Sequence, residues 1–128
     1  MTLHTGLLDF PAGRLGVEIA TSPADQALGL AYREGPLPDS HGMLFPGVSS
    51  VWMVGMRFPL DLVFLGVEPR GADPHRARAF VVLTWIHYAI PGSRVAHACG
   101  GAKAVLEVAG GWTDRYPLKR GQIVPLQG

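Results

Sequence analysis

Val51–Leu65 reads VWMVGMRFPLDLVFL and is the most apolar window of the 128-residue chain. Its one carboxylate, Asp61, directly follows the Pro59-Leu60 step. A carboxylate set among aromatic and aliphatic side chains has to be paired, hydrogen-bonded or placed at a surface opening. An unpaired buried charge costs on the order of several kcal/mol or takes up a proton. The window is expected to form two strands, Val51–Met56 and Leu60–Leu65, or one strand broken at Phe58-Pro59, because proline cannot donate to a central ladder. In the first of these, alternation puts Trp52, Val54 and Met56 on one face and Val51, Met53 and Gly55 on the other.

Strand signals continue on both sides of this window. Leu7, Leu8 and Phe10 lead into Pro11-Ala12-Gly13, after which Leu15, Val17 and Ile19 alternate with Gly16 and Glu18, the pattern of a hairpin. Ser22-Pro23-Ala24-Asp25 supplies a cap, a preset φ and an acidic first turn, so a short helix begins there. Leu28 and its neighbours are expected to pin that helix against a sheet. Glu34–Gly42 is a loop by composition, and Met43-Leu44-Phe45 returns to strand. Glu68–Arg78 reads as a solvated hairpin tip or flexible loop. Ala79–Ala89 is a second strongly apolar strand, rich in β-branched and aromatic residues. Ala104–Val108 is another, with Val105 and Glu107 on one face and Ala104, Leu106 and Val108 on the other. A helical or irregular turn follows around Trp112–Tyr116, and Ile123–Leu126 is the last strand. Many short strands with turn signals about every ten residues, and one short helix, specify a mainly β chain, a β-sandwich or a barrel-like fold.

Composition narrows the function classes. Apolar residues make up 48% of the chain and charged residues 16%, which excludes disorder. The length suits a single domain over residues 1–128. Eleven basic and ten acidic residues give a net charge of +1. The arginines are scattered rather than striped, so no nucleic acid partner is expected. Cys99 is the only cysteine, which excludes an intrachain disulfide and a cysteine-rich zinc site. No window reaches the ~20 uncharged apolar residues of a membrane span, and the N-terminus lacks a signal pattern. A cytoplasmic location is the default, exported if a signal has been removed.

Four pieces in order carry a family resemblance: Ala20-Thr21 with Leu28-Gly29-Leu30-Ala31-Tyr32-Arg33; Gly42-Met43-Leu44-Phe45; Trp52-Met53 through Pro59-Leu60-Asp61-Leu62-Val63-Phe64; and Val105-Leu106-Glu107 with Gly111-Trp112 and Gly121. Together they resemble domain of unknown function number 192. The resemblance implies a compact β-sandwich-like domain of bacteria and archaea, sometimes exported, with no activity attached to it. The chain departs from the family's usual pattern at three places. Val54-Gly55 stands where a Lys-Asn pair is usual, Ala31 where Met is usual, and Gln122 where an acidic residue is usual. If the Lys-Asn pair serves a polar site in relatives, that site is altered or lost here.

The residues that can carry chemistry are few. Asp61 is either a site carboxylate or a structural one that accepts backbone N–H bonds where Pro59 interrupts the ladder. The structural role is the expectation, because buried polar groups normally find local backbone partners. Glu107, in an otherwise apolar VLEV run, is expected on the open face of a sheet. Should Asp61 and Glu107 converge, they could bind a cation or share a proton. His87, His97 and Cys99 are weak metal candidates, since H-x-C is a feasible ligand pair but tetrahedral zinc needs further ligands. His4, His41 and His75 read as surface residues. A cysteine hydrolase would use Cys99 with His87 or His97 and Asp61, with the Gly100-Gly101 amides near an oxyanion, but no hydrolase signature surrounds them. Trp52, Trp85, Tyr88 and Trp112 read first as core. The sharper alternative is that one or two rings, with Arg57, line a groove for a ligand or peptide.

The resulting expectation is a non-enzymatic ligand-binding or interaction domain, without a cofactor, for an unknown small molecule or protein partner. Its binding or structural site draws on Trp52, Met56, Arg57, Asp61, His87, Tyr88, Glu107 and Trp112. The competing expectation is a metal- or cysteine-dependent hydrolase using residues among Asp61, His87, His97, Cys99 and Glu107.

Overall fold

The computed structural model describes residues 4–31 and 33–128; Tyr32, part of the first family piece, lies outside the described residues. Nine strands and two short helices follow one another as β1 (His4–Phe10), β2 (Gly13–Ile19), α1 (Pro23–Leu28), β3 (His41–Pro46), β4 (Ser50–Val51), β5 (Leu60–Val67), β6 (Ala79–Ala89), β7 (His97–Ala98), β8 (Ala104–Ala109), α2 (Trp112–Arg115) and β9 (Ile123–Gln127). Seven of the strands form a closed barrel in the order β1-β2-β3-β8-β5-β6-β9, sealed by pairing of β1 with β9. Of the two architectures expected, the barrel is the one formed. Closure removes the exposed sheet edges that an open sandwich would have to protect.

Every barrel pairing is antiparallel except β2 with β3. A parallel pair needs a crossover rather than a hairpin, and α1 with the loop after it supplies one. Helix α1 starts as its sequence dictates: the Ser22 hydroxyl accepts from the Asp25 amide and Pro23 opens the first turn. It is not pinned by Leu28, which is 57% exposed, and none of its residues is buried. Instead Gln26 Nε2 donates to the carbonyls of Ala20 (2.9 Å) and Pro46 (2.8 Å), tying the helix to the ends of β2 and β3.

Strand β5 runs between β6 and β8, and all eight of its residues are buried. An unbroken apolar run results when both faces of a strand are covered, whereas a half-buried strand alternates. Val63, Leu65 and Val67 point into the barrel, where they meet Leu44, Phe80, Leu106 and Val124. Leu60, Leu62 and Phe64 point outward into a second apolar layer with Phe45, Met53, Met56, Phe58 and Val105. Burial of a large side chain such as Phe64 or Phe80 stabilises the fold by about 1.5–3 kcal/mol.

The outer layer is built by the chain between β4 and β5, and here the expected strand Val51–Met56 does not form. Only Ser50–Val51 pairs, with the two residues of β7. With no longer partner the chain turns: the Met56 amide donates to the Met53 carbonyl, and Gly55 takes φ 81°. Met53 and Met56, three apart across the turn, therefore both face inward, while Trp52 and Val54 stay exposed. The Glu68–Arg78 segment is a chain of turns, closed by amide bonds from Ala72 to Pro69 and from Arg76 to Asp73.

Candidate functional site

Among the described residues two acidic side chains are buried, Asp61 and Glu107, and they sit on opposite faces of the same sheet. Asp61 shares the inward parity of Val63 and Leu65. Glu107 pairs with Met43 and Leu62, on the outward side with Phe64 and Val105. They do not converge, so neither a shared proton nor a joint cation site arises from this pair.

Asp61 is hydrogen-bonded through both carboxylate oxygens. Its Oδ1 accepts the amides of Tyr88 (2.7 Å) and Gly111 (2.9 Å), and its Oδ2 accepts the amide (2.8 Å) and hydroxyl (2.6 Å) of Thr113. Burial pushes its pKa up, but the Thr113 hydroxyl and the three amides outweigh that and hold it below the usual carboxylate value. The backbone bonds come from elsewhere than expected. Between the pairs Leu60–Ala89 and Leu62–Ile86, one β5 residue faces two of β6, His87 and Tyr88, and the bulge frees the Tyr88 amide. Tyr88 takes φ 55° there, and Gly111 takes φ 85° at the start of α2. Asp61 thus ties a bulge in β6 to the turn after β8.

His87 flanks this staple, with Nδ1 3.3 Å from Thr113 Oγ1 and 3.4 Å from Asp61 Oδ2, and Nε2 3.4 Å from Asp114. Trp112 is buried, donates Nε1 to the Asp39 carbonyl and packs against Phe10 and Tyr116. Arg115 forms a bidentate pair with Asp39 at 2.6 and 2.7 Å, whose hydrogen bonding lowers the Asp39 pKa.

The components of the hydrolase and metal alternatives are scattered. His97 lies in β7 opposite Val51, and its Nε2 is buried without a partner among the described residues. The Cys99 thiol donates to the neighbouring Gly100 carbonyl at 3.5 Å. His87 is held at Asp61, and Glu107 faces the other side of the sheet. Among the described residues no three His, Cys, Asp or Glu side chains are grouped to hold a metal. Trp85 is partly covered and has the Arg120 guanidinium 5.3 Å from its ring.

Glu107 is the buried carboxyl on the other face of the sheet from Asp61. It is 4% exposed, and its carboxyl makes no ion pair with a described residue within 4 Å. Burial alone pushes its pKa up to about 8. The face is not open, as expected from the strand alone, because α1 and the 48–56 segment stand over it. Between them runs a groove of about 530 Å³, with Glu107 and Phe45 among its deepest residues. Residues 26–31 form one wall, and Val48, Ser50, Val51, Trp52, Val54 and Met56 form the other. That volume lies within the roughly 300–1,000 Å³ range of ligand sites. Trp52 and Val54 are 59% and 52% exposed on its rim.

Of the expected site residues, the groove brings together Trp52, Met56 and Glu107. Arg57 is exposed outside it; Asp61, His87, Tyr88 and Trp112 belong to the structural staple on the other face. Reading the sequence missed the wall contributed by Gln26–Ala31. A polar Gln26 between Asp25 and the apolar Ala27-Leu28 was the available signal. A larger cleft of about 740 Å³ is lined by His4, His75, Arg76 and Arg78 among others, and no buried carboxyl lines it among the described residues.

The chain was compared with known proteins. No curated protein matches. A structure of a protein of unknown function from Novosphingobium aromaticivorans is 28% identical and matches over 98% of this chain and 85% of its own, with a TM-score of 0.73. A structure from Sinorhizobium meliloti, described as a "putative transcription regulator", is 25% identical over 100% of this chain and 96% of its own, with a TM-score of 0.78. The family model for domain of unknown function 192, described as uncharacterised ACR, matches residues 9–126. With the match spanning nearly the whole chain, the four sequence pieces in order and the barrel they build, this chain belongs to the domain of unknown function 192 family.

Proposed function

We propose that this chain is a non-enzymatic ligand-binding domain whose site is the groove between α1 and the 48–56 segment. One observation carries the reading: a nearly fully buried carboxyl, Glu107, lines an apolar, ligand-sized groove. Ligand sites are mostly apolar cavities with a few polar groups that fix orientation, and a single carboxyl in an apolar groove is such a group. The exposed Trp52 ring and Val54 beside it offer apolar area that the fold does not use.

Nucleic acid is not the ligand in this reading. The regulator description belongs to the Sinorhizobium protein. Here Arg14, Arg33 and Arg115 pair with Asp9, Glu18 and Asp39, and the net charge is only +1. Screening a fragment library by amide-resolved NMR tests the proposal. Hits are expected to shift the amides of Leu30, Val54 and Glu107 together. A screen whose hits shift only amides around His4 and Arg78, or none at all, rejects the groove.

A further inference from the structure

We infer that the groove receives an amphiphilic organic cation, an alkyl- or arylammonium, whose head pairs with the Glu107 carboxylate while its apolar body lies against Leu28, Trp52 and Val54. This rests on the reading of the groove as a ligand site and adds the chemical class of its occupant.

Charge complementarity decides the sign. Among the described lining residues Glu107 is the one ionisable side chain, and no Lys, Arg or His lines the groove. An anionic ligand would be desolvated there without a counter-charge, which is costly in an apolar site. A neutral donor would gain one ordinary hydrogen bond. An ammonium gains a charge-assisted bond to a carboxylate in a low-dielectric environment, where such bonds are about twice as strong. The walls fit the rest of such a molecule. Leu28, Trp52 and Val54 are each more than half exposed on the groove's rim, and the indole face adds attraction for a cation.

The raised pKa of Glu107 fits the same occupant. Empty, the groove holds a protonated carboxyl near neutral pH; an ammonium favours the ionised form, so binding at pH 7 expels a proton. Affinity for an ammonium therefore rises with pH up to about 8 and levels off above it, until the amine itself loses its proton near ~10.

The test uses three probes with one body and different heads, hexylamine, 1-hexanol and hexanoate, titrated into the full chain by amide-resolved NMR. Hexylammonium is expected to bind the groove at least tenfold more tightly than 1-hexanol, with hexanoate weakest. Glu107→Gln is expected to reduce hexylamine to the level of hexanol and leave hexanol within twofold. Calorimetry of wild-type protein in buffers of different ionisation enthalpy should show close to one proton released per hexylammonium at pH 7, a readout independent of the variant's folding. Equal or tighter binding of hexanol or hexanoate in the groove, or no proton release, overturns the cation inference and leaves the groove standing. If none of the three shifts Leu30, Val54 or Glu107, the groove reading falls with it.

Discussion

The hydroxyl and the amide of Thr113 both donate to Asp61 Oδ2, at 2.6 and 2.8 Å, although the two residues are 52 apart in sequence. One carboxylate thereby fixes α2 against β5, and its other oxygen fixes the β6 bulge. Asp61→Asn replaces one acceptor with an NH2 group facing N–H or O–H donors whichever way the amide turns. A loss of about 3 kcal/mol or more is expected, because buried donors are left without acceptors. Thr113→Val, which keeps the amide bond, should cost about 1–3 kcal/mol. Urea unfolding at pH 7 checks both, and a change under 1 kcal/mol for Asp61→Asn would contradict the staple.

The same carboxylate sets an acid limit. Its folded pKa is held below the usual carboxylate value, so its contribution is full above about pH 5 and is lost as pH falls through the folded value. Wild-type stability should fall between pH 5 and pH 3 by more than that of Asp61→Asn. Parallel curves for the two proteins would show that Asp61 is not held ionised.

Glu107 acts in the opposite direction. An unfolded glutamate releases its proton near pH 4.5, whereas the folded carboxyl keeps it to about 8. Between those values the native state binds the extra proton, so stability falls as pH rises, by up to ~5 kcal/mol in total. Glu107→Gln cannot ionise and should lack this decline. The difference in unfolding free energy between variant and wild type is thus expected to grow in the variant's favour from pH 5 to pH 8.5. A constant difference would place the carboxyl in contact with water or a donor.

Tyr88 holds φ 55°, a conformation that costs an L-residue roughly 1–2 kcal/mol. Its ring is 54% exposed, so Tyr88→Gly removes that cost while losing little packing. The variant should be as stable as wild type or up to about 1 kcal/mol more stable, measured by thermal unfolding. A marked loss would mean that the packing of the ring outweighs the backbone term.

How much of this could be read beforehand follows from the range of the interactions. The hairpin, β3, β5, β6, β8 and β9 announce themselves through local alternation or apolar runs bounded by Gly and Pro, and the Ser22-Pro23 start of α1 is equally local. Closure of the barrel depends on β1 meeting β9 across the whole chain, which no local pattern encodes. The Val51–Met56 strand was misread because its alternating apolar residues have no ladder partner beyond His97–Ala98, so the turn at Gly55 wins. Glu107 was placed on the correct side of β8, but its burial is imposed by α1 and the 48–56 segment, which lie far away in sequence. Two of the three departures from the family pattern, Ala31 and Val54, line the groove beside it.

Val54 offers a direct probe of that arrangement. It is half exposed on the wall that also carries Trp52, and it lines the same groove as Glu107. Val54→Lys introduces a tethered ammonium on a long, flexible stem, which can lie along the apolar wall while its head approaches the carboxyl. An adjacent cation favours the ionised carboxylate, so the Glu107 titration, followed by carboxyl carbon NMR, should move from about 8 to a lower midpoint. The introduced charge also occupies the place of a ligand's head, so hexylammonium affinity should fall at least tenfold. Val54→Leu, apolar and of similar shape, should change neither. A Glu107 midpoint that stays near 8 in Val54→Lys, with hexylammonium still bound as in wild type, would mean that the ammonium on this wall and the carboxyl at the floor do not meet.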